Sequence, residues 1–342
     1  MSNKLLSIIG PTAVGKTSFS LKLIDNLKEN KNIKFVGYNL ISADSRQVYE
    51  DLMIISGADV PGDFVRQKDT FGDATSIEYF EKDNIRLFGL LDLDYQDEWS
   101  LAHFKKFAQQ LIKQSWQENR LPIIVGGTGL YHEYIFNDSS TIGIGPNQDL
   151  RKELNLLSLN ELQNKLSEIN FERFSEMNNS DQNNPVRLIR AIEVERYYQD
   201  NPGKKNLEDK NIQYGEKPDY DHLIIGLTDD LKIIEEKISK RVKERFENGA
   251  ITEVEALKEK IREFGLNKQI TTATGVKEIQ SYLDGRVEKE ECLKKWSLRE
   301  YQYAKRQLTW WRHRKNIQWY EIGEDDWMKR AFDRVIKFIL PE

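Results

Sequence analysis

One cysteine, Cys292, stands in a chain of 342 residues. A single thiol excludes a disulfide framework and any zinc module built on paired cysteines, and it suits a reducing cytoplasm. The four histidines are scattered, and His132-Glu133 lacks the second histidine of an H-E-x-x-H metal helix. No apolar run approaches the ~20 residues of a membrane-spanning helix. The first residues lack the basic-then-apolar pattern of a signal peptide, so no membrane partner is expected. Internal repeats and long low-complexity tracts are missing too. Nor is positive charge in excess: a net charge of −5 argues against a generally sticky nucleic-acid binder. What remains is a chain long enough for one large domain and a smaller one, with 39% hydrophobic residues to build a normal core.

Near the start lies Gly10-Pro11-Thr12-Ala13-Val14-Gly15-Lys16-Thr17, which satisfies G-x-x-x-x-G-K-[ST]. Backbone amides of such a loop cradle a diphosphate or a nucleotide's phosphates. The apolar run Leu5–Ile9 leads in as a buried strand. Thr17–Leu27 leads out as a helix with Phe19, Leu23, Ile24 and Leu27 on one face. The phosphates then meet a helix N-terminus, where unpaired amides and the helix dipole favour negative charge. Lys16 reaches the terminal phosphates and the Thr17 hydroxyl reaches Mg²⁺. The motif does not say whether the phosphates are transferred or leave.

Further β-rich runs occur at Tyr38–Ser42, Ile123–Val125, His222–Leu227 and Ile317–Ile322, separated by helical patterns. Ser100 reads as the N-cap of one helix. Such alternation predicts an α/β fold, a P-loop NTPase-like parallel sheet with helices on both faces. Between residues 137 and 217 the strand pattern vanishes into polar, Asn- and Glu-rich helical segments, with a turn at Asn201-Pro202-Gly203 before a lysine pair. The expected organisation is a core of residues 1–136 and 218–342 with C-terminal helices, and a helical insertion domain at 137–217. The stripe Leu188, Ala191, Ile192, Glu195 could pack back on the core.

Strand tips beside a phosphate loop point at the reacting centre. Ile41–Tyr49 places Asp44 there as a general base or metal-organising group, with Ser45, Arg46 and Gln47 as directional donors. Three glycines in Gly126-Gly127-Thr128-Gly129 let backbone approach a ligand, Thr128 adds a hydroxyl, and Tyr131 offers a ring for a base. Asp92, after Leu90-Leu91, is the nearest match to the metal-organising acid of a P-loop kinase. Arg241 and Arg245 share a helix face and could clamp phosphate oxygens, with nearby glutamates such as Glu244 as alternative partners. From Cys292 to Lys315, eight lysines and arginines, Lys305 and Arg306 among them, stand against Glu300 alone, interleaved with five aromatics. That pattern suits local binding of a polyanion, or a helix with aromatics in the core and solvated charges.

The joint pattern resembles the tRNA dimethylallyltransferase family, also called tRNA isopentenyltransferases, of bacterial type. The resemblance is carried by Gly10–Thr17, Ile41–Tyr49, Leu121–Tyr131, Pro185–Val194 (P-V-R-L-I-R-A-I-E-V) and Ala304–Trp310 (A-K-R-Q-L-T-W), in the family's order across nearly the whole chain. It implies transfer of a dimethylallyl group from dimethylallyl diphosphate to N6 of adenosine 37, next to the anticodon. Asp44 would relieve N6 of its proton. Lys16, Thr17 and the loop amides would hold the diphosphate and Mg²⁺, and Arg241 would neutralise the leaving group. Ser45, Arg46, Gln47, Thr128, Arg187 and Arg190 would touch RNA, with the insertion gripping the anticodon stem-loop. Two departures stand out: Arg86–Gly89 replaces the usual histidine pair, and Gly275-Val276-Lys277 replaces G-Y-[RK]. The chain is expected to act as a monomer. Rival readings are prenylation of free AMP, ADP or ATP, a small-molecule P-loop kinase, and an RNA-binding NTPase. The helical insertion and the basic helix favour a macromolecular acceptor.

Overall fold

The computed structural model describes residues 3–58, 60–71, 75–137, 141–202 and 219–341. The expected turn at Asn201–Gly203 and its lysine pair run beyond the described residues, as does the end of the expected insertion.

Eight strands form one sheet: β1 (Asn3–Ile9), β2 (Gly37–Ser42), β3 (Val65–Phe71), β4 (Thr75–Lys82), β5 (Ile85–Phe88), β6 (Arg120–Gly126), β7 (Tyr220–Thr228) and β8 (Ile317–Glu321). Their order is β3-β4-β5-β2-β6-β1-β7-β8. The pairs from β5 through β8 are all parallel, whereas β3, β4 and β5 pair antiparallel. The sheet is therefore mixed, which corrects the all-parallel expectation at one edge. Strand β3 is exposed along its described length and carries Arg66 and Lys68, ion-paired to Glu78. An edge strand covered by charge shows no apolar alternation for a sequence reading to detect.

The central strands read as continuous apolar runs because both faces are covered. Leu6 and Ile8 of β1 belong to a cluster with Phe19, Leu23, Ile24 and Leu27 of helix α1 (Lys16–Glu29). Each such side chain contributes about 1.5–3 kcal/mol on burial. Leu5, Ser7 and Ile9 alternate to the other face and are equally buried. After the short α2 (Met53–Ser56), helix α3 (Leu101–Gln117) packs on β6, β1 and β2. Ser100 caps it as expected: its hydroxyl accepts from the His103 amide at 3.3 Å. Helix α4 (Gly129–Tyr134) follows β6.

The chain divides into two compact units, Met1–Ile135 with Asp219–Glu342, and Phe136–Pro218. The second unit holds α5 (Gln148–Leu154), α6 (Leu159–Ile169), α7 (Phe171–Glu176), α8 (Asn179–Gln182) and α9 (Pro185–Asp200). Asn184 caps α9 through the Val186 amide at 3.0 Å, with Pro185 in the first turn. Leu188, Ala191 and Ile192 form this unit's own core with Leu154, Leu162, Leu166 and Met177. Glu195 is buried and accepts from Asn170 at 2.8 Å.

The sheet unit resumes with β7 and continues through α10 (Leu231–Arg245), α11 (Ile251–Phe264), α12 (Lys268–Thr271), α13 (Val276–Leu283) and α14 (Lys289–Arg312). Strand β8 and α15 (Trp327–Ile339) close the chain, and Ala331, Val335 and Ile339 join α1 over the sheet. Helices α10 to α14 share a second core around Ile238, Val242 and Trp296, which also takes in Val48 and Tyr49 after β2.

Candidate active site

The loop after β1 is shaped by close contact. Gly10 has φ 148°, and a Cβ there would lie 2.3 Å from the Leu227 carbonyl oxygen of β7, so only glycine lets the two tips approach. Gly15 precedes α1 in the left-handed conformation, and no side chain caps that helix. Its first-turn amides are the donors an anion at this position would satisfy. Thr17 is exposed on this turn. The Lys16 ammonium donates to the Pro11 carbonyl at 2.8 Å. Burial, then the nearby Arg241, holds its pKa down at about 8, with Asp44 opposing. Arg241 and Asp44, from two other elements, thus both act on Lys16 electrostatically.

The tips of β2 and β6 are laced together: Ala43 N–H donates to Val125 O at 2.8 Å, and Thr128 N–H to Ala43 O at 3.3 Å. Asp44 is half-buried and accepts the Arg46 amide at 2.8 Å, which closes a turn and sets the carboxylate. Ser45 beside it is half-buried. Two expected RNA donors are engaged inside the protein. Gln47 accepts from Ser42 Oγ at 2.9 Å and donates to Gly57 O at 2.8 Å, so its amide fastens the loop. Arg46 donates to Gln269 O and to Thr272 Oγ1, tying this loop to α12. Tyr131 is 4% exposed and stacks on Phe104 at 4.0 Å between ring centroids. It is core, not a platform for a base. Thr128 precedes α4 without capping it, and its hydroxyl lies beside that of Tyr303.

Asp92 lies beyond β5, the strand that occupies the place expected of Leu90–Leu91. Burial pushes its carboxyl up to about 6, and its charged neighbours are Glu78, Arg66 and Lys68 of the edge hairpin. Among the described residues no cluster of three or more His, Cys, Asp or Glu could hold a metal. Asp92 is not part of one.

Helix α14 divides sharply by face. Trp296, Glu300, Ala304, Gln307 and Trp311 are buried, while Lys294, Lys295, Lys305, Arg306 and Arg312 are exposed. The charges of Lys305 and Arg306 sit over Tyr301 and Tyr303, at 5.6 and 5.8 Å. Three residues of this helix that sequence reasoning did not place in the site reach it. Gln307 Oε1 accepts the Thr12 amide of the phosphate loop at 2.8 Å, and a Cβ at Gly127 would collide with its Nε2 at 2.0 Å. The Tyr303 hydroxyl, raised to about 12 by burial and then by Asp44, lies against Thr128 and Gln307. Glu300 accepts from Arg241 at 2.7 Å and Arg245 at 3.3 Å. Glu244, one of the alternative partners, instead lies 3.9 Å from Lys240. The clue was present in the sequence: Glu300 is the lone acid of a basic segment, and it shares a helical stripe with Trp296, Ala304 and Gln307.

Arg187 and Arg190 belong to the other unit. Arg187 pairs with Asp181. Arg190 donates to Thr141 O at 2.7 Å, Ile144 O at 2.8 Å and Glu193 at 3.4 Å. Its fork therefore pins a loop of its own unit, where a free RNA contact was expected.

The IPP transferase family model matches residues 79–314. The chain is 32% identical to the tRNA dimethylallyltransferase of Natranaerobius thermophilus, over 99% of this chain and 92% of that protein. It is 31% identical to that of Lactococcus lactis, over 99% of both. A crystal structure of the full-length tRNA isopentenylpyrophosphate transferase of Bacillus halodurans matches with a TM-score of 0.62 and 29% identity, covering 98% of this chain and 97% of that one. With its phosphate loop, its aspartate-tipped second strand and this end-to-end similarity, the chain belongs to the IPP transferase family, alongside the tRNA dimethylallyltransferases.

Proposed function

We propose that the chain transfers a dimethylallyl group from dimethylallyl diphosphate to N6 of adenosine 37, beside the anticodon of tRNA. One observation carries the chemistry: Lys16 and Arg241 are both bonded to the Gly10–Thr17 loop, through Pro11 and Thr12, and Asp44 lies close enough to act on Lys16 electrostatically. Attack of N6 on the allylic carbon breaks the carbon–oxygen bond, and the diphosphate leaves with the electron pair. Stabilising that charge is the main demand, and the uncapped α1 amides, Lys16 and Arg241 supply it. The amine must come within roughly 3–3.5 Å of the carbon, in line with the departing oxygen. Asp44, set by its turn, takes the N6 proton.

Mg²⁺ fits this site in one way. With no acidic cluster among the described residues and an exposed Thr17 hydroxyl on the first turn of α1, the cation would be held by diphosphate oxygens and Thr17. When bound it neutralises part of the leaving group's charge.

An adenine stacked in its loop must be extruded, at a cost of a few kcal/mol. Tyr131 is buried in the core, so Tyr303 is the aromatic ring we assign to the base. Lys305 and Arg306 on the exposed face of α14, with the Phe136–Pro218 unit, are assigned to the tRNA backbone and anticodon stem. Every assigned residue comes from one chain, so a monomer in the cytoplasm suffices. No helix among the described residues is long and apolar enough to cross a membrane.

The test mixes purified protein with labelled dimethylallyl diphosphate, Mg²⁺ and either unmodified tRNA or AMP. Label should enter tRNA and be lost when adenosine 37 is replaced by guanosine. Label in AMP but not tRNA would overturn the acceptor; label in neither, with ATP hydrolysis, would indicate an NTPase.

A further inference from the structure

Glu300 is 4% exposed, yet four donors converge on its carboxylate. Arg241 Nη2 lies at 2.7 Å, Thr274 Oγ1 at 3.2 Å, Arg245 Nη1 at 3.3 Å and Trp296 Nε1 at 3.4 Å. Arg245 is also held by the Ile55 carbonyl at 3.0 Å. One negative charge is thus divided between two guanidinium groups and neutralises neither in full. Arg241 is the member nearest the phosphate loop, where its Nη2 also reaches Thr12 Oγ1 at 2.5 Å. Its Nε is buried with no hydrogen-bond partner. A buried N–H without an acceptor is costly, and here it belongs to a side chain already clamped from two sides.

A purely structural network need not leave a donor in that condition. The Phe136–Pro218 unit contains a triad of the same composition, in which Arg151 and Arg190 share Glu193. No guanidinium nitrogen of that triad is buried without a partner among the described residues. The Glu300 triad leaves Arg241 Nε unpartnered, on a side chain whose Nη2 reaches Thr12 of the phosphate loop.

We infer that Glu300 is a positioning residue. It clamps the Arg241 guanidinium so that Nε and its positive charge meet the diphosphate as negative charge develops there. Glu300 itself touches no substrate atom. This role presupposes prenyl transfer at the phosphate loop, as proposed above.

A double-mutant cycle tests it on the full-length chain. Wild type, Glu300→Gln, Arg241→Gln and the double variant are compared for kcat, for KM toward donor and tRNA, for affinity toward inorganic diphosphate, and for unfolding midpoint. Glu300→Gln should lower kcat about 10- to 100-fold, the scale of a small misplacement of a reacting group. It should weaken inorganic diphosphate binding and leave KM for tRNA unchanged. In the Arg241→Gln background it should cost nothing more. Should Glu300→Gln fail to fold, Arg245→Gln/Glu300→Gln takes its place, because it leaves one unpaired guanidinium in place of two and still removes the clamp on Arg241. Wild-type kcat in the variant, or losses that multiply in the double variant, would overturn the role. If the wild type neither transfers label nor binds diphosphate, the proposed function falls and takes this role with it.

Discussion

Two glutamate-centred triads, one in each unit, set the most useful contrast in this molecule. In the helical unit Glu193 binds Arg151 through two bonds of 2.7 and 2.8 Å and accepts the Asn147 amide at 2.9 Å. Its second arginine, Arg190, reaches two backbone carbonyls as well. In the sheet unit Glu300 also takes two arginines, but Arg241 contacts the phosphate loop and retains an unpartnered Nε. Arg190 lies in a segment that resembles a family motif and Arg241 shares a helix face with Arg245, and in sequence both read as ligand contacts. Counting donors against acceptors separates them, since the large majority of buried polar groups are paired.

The contrast is broken most directly at Asp44 and Arg241. Asp44→Ala should lower transfer about 10²- to 10⁴-fold, the range for a missing general base, with tRNA affinity held within a few-fold in a filter-binding assay. Equal losses of binding and rate would make Asp44 a structural residue.

Next come the two arginines. Arg241→Gln should lower kcat by about 10²- to 10³-fold, like removal of an oxyanion donor. Arg190→Gln should leave kcat unchanged and lower unfolding free energy by about 1–3 kcal/mol, because Thr141 O and Ile144 O lose their donor. Denaturant titration beside steady-state kinetics reads both. Reversed outcomes would erase the distinction.

The charge on Lys16 sharpens the picture within the sheet unit. Its pKa lies at about 8, below the ordinary 10.5. A bound diphosphate favours the ammonium and raises that value, so binding takes up a proton once the pH exceeds about 8. The ratio of wild-type to Lys16→Met affinity for inorganic diphosphate, in which the ligand's own titration cancels, should be flat below that point and fall above it, by at most about tenfold per pH unit. In the unliganded chain the sign is opposite: between about 8 and 10.5 the unfolded state holds the extra proton, so this group makes stability rise with pH. Lys16→Met should remove this stability slope in calorimetry.

The smallest effect is expected on the exposed face of α14. Replacing Lys305 and Arg306 with alanine should weaken tRNA binding and reduce the log–log salt slope by about 0.7–0.9 for each phosphate no longer neutralised. An unchanged slope would mean that only the buried face of this helix serves the enzyme.

Much of this was readable beforehand where the cause is local. The phosphate loop, the Ser100 cap and the apolar strands β1, β2, β6 and β7 follow from backbone conformation, capping chemistry and burial on both faces, all expressed within a few residues. The β3–β4 hairpin was not, because its outer strand is polar and exposed. Tyr131 was misread because an aromatic just after a glycine-rich tip looks the same whether it faces a ligand or Phe104. The internal bonds of Gln47 and Arg190 were hidden for a related reason: an amide or guanidinium does not reveal in sequence which acceptors will surround it.

By itself, then, the chain's order of residues determined that a glycine-rich turn at Gly10–Thr17 opens into an uncapped helix and that Asp44 follows the second strand. Those features depend on neighbours a few positions away. Only the folded sheet decided that Gln307 would meet Thr12 across 295 positions and Glu300 would meet Arg241 across 59. Such pairings exist only after strand order brings distant helices to the same edge, so their energy belongs to the tertiary arrangement and to no segment alone.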